Sequence, residues 1–172
     1  MAGDREELER MVRAHHDAVR AYLVRRASAE DAADALSETF LVAWRRIDER
    51  PDETMWLPWL YGIARRTLAN QRRAQQRQGA LIERLHGLGA IAGDQSPDTG
   101  LMTALAALGP ADREALMLVA WEGLSTEDAA HVLGCRASTF RMRLVRARRR
   151  LAVLLDDPPE TPRTQSPVEH RS

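Results

Sequence analysis

The chain has 172 residues, of which 44% are hydrophobic and only 5% aromatic, with a formal net charge of zero. This length suits one ordinary domain or two small ones, and the abundance of Ala, Leu, Arg and Glu favours an all-α fold. The one cysteine, Cys135, excludes an internal disulfide framework and a cysteine-based zinc cluster. No apolar run approaches the roughly 20 residues that span a bilayer, and the charged amino terminus is unlike a secretory signal peptide, so we expect a cytoplasmic protein without a membrane segment.

Positive charge is concentrated in two stretches of the sequence. All 25 basic residues are arginines; residues 59–77 contain five of them and residues 136–150 contain seven, and neither stretch contains an acid. The segments before and between these stretches carry more acids than arginines. Such segregation is typical of a protein that binds a polyanion, and it favours nucleic acid as a partner over the alternative of two solvated helix faces.

Three helices are predicted in the first half of the chain. Apolar residues recur at helical spacing over residues 4–26, and a second such pattern covers residues 28–47. Ser28 stands where a helix cap belongs, with an aspartate three positions later. Residues 49–55 interrupt the pattern and are predicted as a loop, and a third helix is predicted over residues 56–77.

The composition changes after the third predicted helix. Residues 78–100 contain five of the ten glycines and are predicted mostly as a flexible linker, with a short amphipathic turn around Leu81–Leu88 as a possible interruption. We therefore expect two small helical domains, covering residues 4–77 and 101–154. Residues 155–172 are rich in proline and almost free of apolar residues, which predicts a disordered tail.

The second half is predicted as four helices. Two cover residues 101–108 and 111–122, a third runs from a cap at Ser125 to Gly134, and the last covers residues 137–154. A short helix, a glycine-containing turn and a longer basic helix form the helix-turn-helix arrangement, whose second helix enters the major groove of DNA.

The last predicted helix has two distinct faces. A core stripe is predicted from Ala137, Phe140, Leu144, Ala147 and Leu151. The opposite face carries Ser138, Met142, Val145, Arg146 and Arg149, with Arg141 and Arg143 on its flanks. Arginine side chains match guanine edges and phosphates in the major groove, so this face is predicted to bind DNA.

The sequence of residues 123–151, GLSTEDAAHVLGCRASTFRMRLVRARRRL, closely resembles region 4 of sigma factors, the part that reads the −35 promoter element. Arg136 stands where the family usually has Ser or Thr, and Met142 where it usually has a small polar residue. The resemblance implies a set of −35 contacts on this chain: Arg136, Ser138, Thr139, Arg141, Met142, Arg143, Val145, Arg146 and Arg149.

On the second predicted helix, one face is predicted to be buried: Leu36, Phe40, Ala43, Trp44 and Ile47. The opposite face carries acids around an apolar residue, which is typical of a surface that meets a basic protein partner. Residues 31–48, DAADALSETFLVAWRRID, strongly resemble sigma region 2.2, with Ser37 in place of the usual Gln. The resemblance implies contacts with the β′ clamp helices of RNA polymerase core by Asp34, Ser37, Glu38 and Leu41.

Residues 56–73, WLPWLYGIARRTLANQRR, resemble sigma regions 2.3 and 2.4, which help to melt the −10 promoter element. The resemblance implies −10 contacts by Arg65, Arg66, Arg72 and Arg73, with a flipped base against the preceding loop. Trp56 and Tyr61 could stack on bases, although aromatic residues at helical spacing are more often part of a core.

Both resemblances occur in the order expected of the sigma-70 family, and the chain has no room for the additional regions of larger members. It is therefore identified as similar to the small extracytoplasmic-function (ECF) group. That implies promoter DNA, RNA polymerase core with its β′ clamp helices and β flap, and an anti-sigma factor as partners. The alternative is a helix-turn-helix regulator that acts without entering polymerase.

An enzyme is the competing class, and its signals are absent from the sequence. The histidines His15, His16, His86 and His131 do not form a HExxH motif or a spaced Cys/His set. No glycine-rich phosphate loop or nucleophile elbow is present. We expect no catalysis, no metal and no cofactor.

Overall fold

The computed structural model describes residues 2–86 and 100–156, with side chains for residues 3–77 and 100–156. Within these residues the structure is helical and has no strand, so the all-α prediction is confirmed. The helices are α1 (Ala2–Val24), α2 (Ala29–Arg45), α3 (Trp56–His86), α4 (Gly100–Ala107), α5 (Pro110–Ala120), α6 (Thr126–Leu133) and α7 (Ala137–Asp156). Among these helices, none is apolar over a stretch long enough to cross a bilayer.

The ends of the helices agree closely with the sequence pattern, with one exception. Helix α3 continues to His86, nine residues beyond the predicted end at Arg77. The rest of the predicted linker, residues 87–99, and the predicted tail beyond Asp156 lie outside the described residues. The predicted loop between α2 and α3 contains two short 3-10 turns.

Both predicted serine caps are confirmed. The hydroxyl oxygen of Ser28 accepts a hydrogen bond from the backbone N–H of Asp31 at 3.1 Å, and Ser125 accepts one from Asp128 at 3.1 Å. Each hydroxyl also donates to the carboxylate of the same aspartate. The caps satisfy donors that the first turns of α2 and α6 would otherwise leave unpaired.

Helices α1, α2 and α3 pack into one helical unit. The buried stripe of α2 consists of small residues, Ala32, Ala35, Thr39 and Ala43. The predicted stripe was wrong at Trp44, which is 38% exposed, and Phe40 is only partly buried. The side of α2 that faces its neighbours is therefore made of small side chains, and the two large aromatic rings lie outside this buried stripe.

Helices α4 to α7 form the second unit, with the predicted helix-turn-helix in α6 and α7. Gly134 ends α6 with φ of 66°, a left-handed conformation that glycine adopts without strain. Phe140, Leu144 and Ala147 of α7 are buried, as the core stripe predicted. Arg150 of α7, whose side chain is 65% exposed, forms an ion pair with Asp112 of α5.

The two units pack against each other, and α6 lies on α3. Their buried apolar residues form one continuous cluster, which includes Leu60 and Leu68 of the first unit and Val132 of the second. The sequence did not predict this contact.

A buried network of charged and polar groups crosses the same interface. Arg26, just after α1, donates from Nε to Glu114 Oε2 at 2.9 Å and from Nη1 to Glu122 Oε1 at 2.8 Å. The side chains of Arg26 and Glu122 are only 7% and 2% exposed. Arg25 also pairs with Glu122, and the Tyr22 hydroxyl donates to Glu114 Oε1 at 2.9 Å. We call these five residues the interdomain network.

The network predicts that the substitution Arg26→Met loosens the contact between the two units. It leaves two carboxylates without their main partner, and breaking a buried ion pair in this way costs about 3–5 kcal/mol. We expect the units to separate, which small-angle scattering measures as a larger radius of gyration at unchanged helix content. The control Arg46→Met removes an exposed pair with Glu49, which is worth about 1 kcal/mol or less. An unchanged radius for Arg26→Met would contradict the role of the network.

We expect the protein to lose stability at alkaline pH because of its two tyrosines, Tyr22 and Tyr61. Their rings stack at 4.7 Å. Burial, assisted by the Glu114 carboxylate, raises the pKa of Tyr22 well above its ordinary value, and burial with the Glu122 carboxylate raises the pKa of Tyr61 to about 12. Tyrosine in the unfolded chain ionises at about pH 10, so the folded form binds these protons more tightly.

The stability that the protonated tyrosines contribute is therefore complete below about pH 10 and is lost as the pH rises through the folded pKa values. We expect phenolate absorbance to appear late and together with loss of helical structure. Titration of both tyrosines near pH 10 (about the unperturbed pKa), with the fold intact, would show that they are not buried at the interface.

Candidate docking face and nucleic-acid interfaces

The four residues predicted to bind a protein partner lie together on the outward face of α2. Asp34, Ser37 and Leu41 are exposed, and Glu38 is half-exposed. Their spacing of three and four residues places them on one side of the helix. Glu38 also accepts a hydrogen bond from Arg45 at 3.5 Å, an exposed contact that leaves its carboxylate accessible.

An apolar groove adjoins this acidic face, and the sequence reasoning missed it. Phe40, Leu41 and Trp44 of α2 line a groove of about 500 Å³ together with Leu8 of α1. Leu41 and Trp44 are 43% and 38% exposed. The spacing of Leu41 and Trp44 indicates that both can lie on one side of the helix, but helical periodicity also predicts Trp44 as a core residue. Exposed apolar side chains rimmed by charge are typical of a protein-docking surface.

The arginine face of α3 is exposed, whereas the aromatic residues of the same helix are buried. Arg65, Arg66, Arg72 and Arg73 are all exposed. By contrast, Trp56 and Tyr61 are each 2% exposed, which agrees with core packing and removes both as stacking surfaces for bases in this arrangement. Trp56 instead donates from its indole N–H to the carbonyl oxygen of Pro51 at 3.1 Å, and this hydrogen bond ties the preceding loop to α3.

A cleft of about 300 Å³ lies between the two units and is lined by arginines of both. It is lined by Arg65 and Arg72 of α3, by Arg143 of α7 and by the network residue Glu114. Arg72 also donates to the backbone carbonyl of Arg26. Two of the predicted −10 contacts and one of the predicted −35 contacts thus face each other across the cleft.

The remaining predicted residues of α7 lie on its exposed side. Met142 and Val145 are 62% and 42% exposed, although both are apolar. Arg141 lies 3.8 Å from Glu127 of α6, an exposed pair worth little energy. The other exposed members of the predicted −35 set are Arg136, Ser138, Thr139, Arg146 and Arg149.

Two adjacent histidines near the middle of α1 contact aromatic rings of α2 and α3. His15 lies edge-on to Trp56 with ring centroids 6.3 Å apart, and His16 stacks on Phe40 at 6.2 Å. Burial lowers the pKa of His15. Within residues 3–77 and 100–156, no group of three or more His, Cys, Asp or Glu side chains is placed to hold a metal ion.

Both units match models of known protein families. Residues 11–78 match sigma-70 region 2, and residues 99–151 match sigma-70 region 4. Among curated relatives, the ECF RNA polymerase sigma factor SigM of Mycobacterium tuberculosis is 32% identical and is covered over 80% of its length by 90% of this chain. The ECF RNA polymerase sigma-E factor of Haemophilus influenzae is 28% identical, with 85% of this chain and 86% of the relative covered.

Two solved structures have a similar fold. The sigma factor RpoE of Bartonella quintana, in complex with the anti-sigma factor NepR, is 28% identical with a TM-score of 0.68, covering 90% of this chain and 99% of that one. CnrH in complex with the cytosolic domain of CnrY is 25% identical with a TM-score of 0.62, covering 92% and 93%. With both regions matched in order, the chain belongs to the sigma-70 family and, within it, to the ECF sigma factors.

Proposed function

We propose that this sigma factor binds RNA polymerase core through α2, opens the −10 element with α3 and reads the −35 element with α7. One observation carries the proposal: two acid-free arginine surfaces, on α3 and α7, occur in one chain with a separate acidic and apolar face on α2. The arginine surfaces suit DNA, and the α2 face suits a protein with basic side chains.

Contact with polymerase core is assigned to the outward face of α2. Asp34 and Glu38 would pair with basic side chains of the β′ clamp helices, and Ser37 would supply a polar contact. Leu41 is the apolar centre of this face, and the groove beside it offers Phe40 and Trp44 as further apolar contacts. Aromatic side chains at the centre of an interface with charges at its rim are typical of tight protein contacts.

A second polymerase contact is assigned to the β flap. The end of α7 and the α4–α5 turn form a groove of about 470 Å³ lined by Leu108, Val153 and Leu154, with Arg149 and Arg150 beside it. Val153 is 65% exposed. An apolar groove of this kind accepts an apolar helix or loop tip from a partner protein.

Strand opening is assigned to α3 and the loop before it. Arg65, Arg66, Arg72 and Arg73 would follow the phosphates of the non-template strand. A base that leaves the duplex would lie against the loop at residues 49–55, since extruding a base costs a few kcal/mol that protein contacts must offset. Because Trp56 and Tyr61 are buried, the loop and the arginine planes are the surfaces available to unstacked bases.

Reading of both promoter elements requires the two units to separate. The elements are about 25 base pairs apart by their names, which is about 85 Å along B-form DNA at about 3.4 Å per base pair. When the two units pack against each other, Arg65, Arg72 and Arg143 line one cleft. The two units therefore cannot reach both promoter elements at once. We propose that polymerase binding breaks the interdomain network and frees these arginines.

An anti-sigma factor is proposed as the remaining partner. Two similar sigma factors of known structure are bound to NepR and to the cytosolic domain of CnrY. Since its proposed template is the chromosome, we propose that the chain acts in the cytoplasm and catalyses no reaction itself.

The proposal is tested by run-off transcription with polymerase core, the full chain and fragments of the source genome. We expect initiation at discrete sites that share a −35 and a −10 sequence, and no initiation from core alone. A helix-turn-helix regulator outside polymerase would instead bind operator duplex without core and would not bind core without DNA. Those two results together would contradict the proposed sigma-factor function and favour a helix-turn-helix regulator that acts outside polymerase.

The acidic face predicts the effect of a charge reversal. The double substitution Asp34→Lys with Glu38→Lys should weaken the affinity for polymerase core by a few kcal/mol, as loss of a charge-paired interface contact does. Both side chains point away from the buried stripe of α2, so helix content should not change.

The matched control is Glu6→Lys with Asp48→Lys, which makes the same change in charge at exposed positions of α1 and of the turn after α2. We expect the control to bind core with nearly native affinity. Equal affinities for both double variants would contradict the assignment of α2.

A further inference from the structure

The centre of the exposed face of α7 is apolar. Met142 and Val145 are 62% and 42% exposed, and at about 100° per residue both lie opposite the buried side chain of Phe140. Ser138 precedes them on the same line. The core of the unit does not use these side chains, since Phe140, Leu144 and Ala147 supply its contacts with α7.

Arginines border this apolar strip on both sides. Arg141 and Arg148 lie on one side and Arg146 on the other, all exposed. No acid occurs between Arg136 and Arg150. A strip with an apolar centre and cationic edges complements the major groove, where phosphates form both walls and base edges form the floor.

Only one methyl group is present on the floor of the major groove of unmodified DNA. It is the C5 methyl of thymine; the other edges present hydrogen-bond donors and acceptors. We propose that Met142 and Val145 read thymine methyl groups in the −35 element. This inference rests on the proposed function of α7 and names the base pairs that it recognises.

The spacing of the two side chains fits neighbouring base pairs. Residues three apart on a helix are separated by about 4.5 Å along its axis, and base pairs are separated by about 3.4 Å along the duplex. The two methyl groups therefore lie on adjacent A·T pairs. The flanking arginines hold the helix in the groove through phosphates or a nearby guanine.

The test removes single methyl groups from the DNA. Holoenzyme made from core and the full chain is bound to a promoter duplex mapped by run-off transcription, in which each −35 thymine is replaced in turn by deoxyuridine. We expect loss of affinity at two adjacent positions, each on the order of fourfold, which corresponds to the burial of one methyl-sized group.

Side-chain truncation then identifies the contact. Met142→Ala should abolish the difference between thymine and deoxyuridine at one position, and Val145→Ala should abolish it at the other. Met102→Ala, which truncates an equally long side chain that is 45% exposed on α4, should keep both differences. Equal binding of all duplexes by the native holoenzyme, or a −35 element without A·T pairs under α7, would overturn the inference.

The same experiment separates this inference from the proposed function. If Met142→Ala weakens binding equally for thymine and deoxyuridine duplexes, the strip contacts protein or phosphate and the inference fails while −35 recognition stands. If affinity does not depend on the −35 sequence at all, the assignment of α7 fails as well.

Discussion

The arrangement of this protein depends on one buried cation. Arg26 lies between Glu114 and Glu122, covered by the Tyr22 ring at 3.7 Å from its guanidinium carbon. Burial of charged groups costs several kcal/mol for each ion, and only good geometry and complete pairing offset that cost. The interdomain network itself is therefore specific in geometry but not strongly stabilising. Such a balance suits an interface that forms in the free protein and opens when binding of a partner is more favourable than the contact between the units.

In the proposed function, the same cation would determine which arginines DNA can reach. With Arg26 in place, α6 rests on α3, and the cleft between the units holds arginines assigned to two different promoter elements. The α2 face and the centre of the α7 face stay exposed. In the proposed function, polymerase therefore docks on α2 while the two units are still packed together, and recognition of both promoter elements follows their separation.

Local features of the structure were predictable from sequence, because each depends only on residues that are close to one another in the chain. The caps at Ser28 and Ser125, the turn at Gly134 and the buried side of α7 all follow from spacing. The position of Trp44 was not predictable in this way. Helical periodicity placed it with Phe40 and Ala43, but close packing through Ala35 and Thr39 decided which side of α2 is buried.

Long-range pairing left no signal in a single sequence. Arg26 is 88 residues from Glu114 and 96 from Glu122, so no periodic pattern connects them. Arg25 and Arg26 also follow the end of α1, where basic residues commonly stabilise a helix through its dipole. This local role explains their presence without any distant partner, so the sequence does not point to the two glutamates. Net charge was equally uninformative, since the arginines of α3 and α7 are balanced by acids elsewhere in the chain.

The distance between the two units in the free protein and in the promoter complex tests the central claim most directly. Spin labels at Arg20→Cys of α1 and Ala120→Cys of α5, in a Cys135→Ser background, would report it by pulsed electron resonance. We predict one short, narrow distance distribution in the free chain and an increase by tens of ångströms in the promoter-bound holoenzyme, as elements about 85 Å apart require. The same short distance in both states would contradict the account.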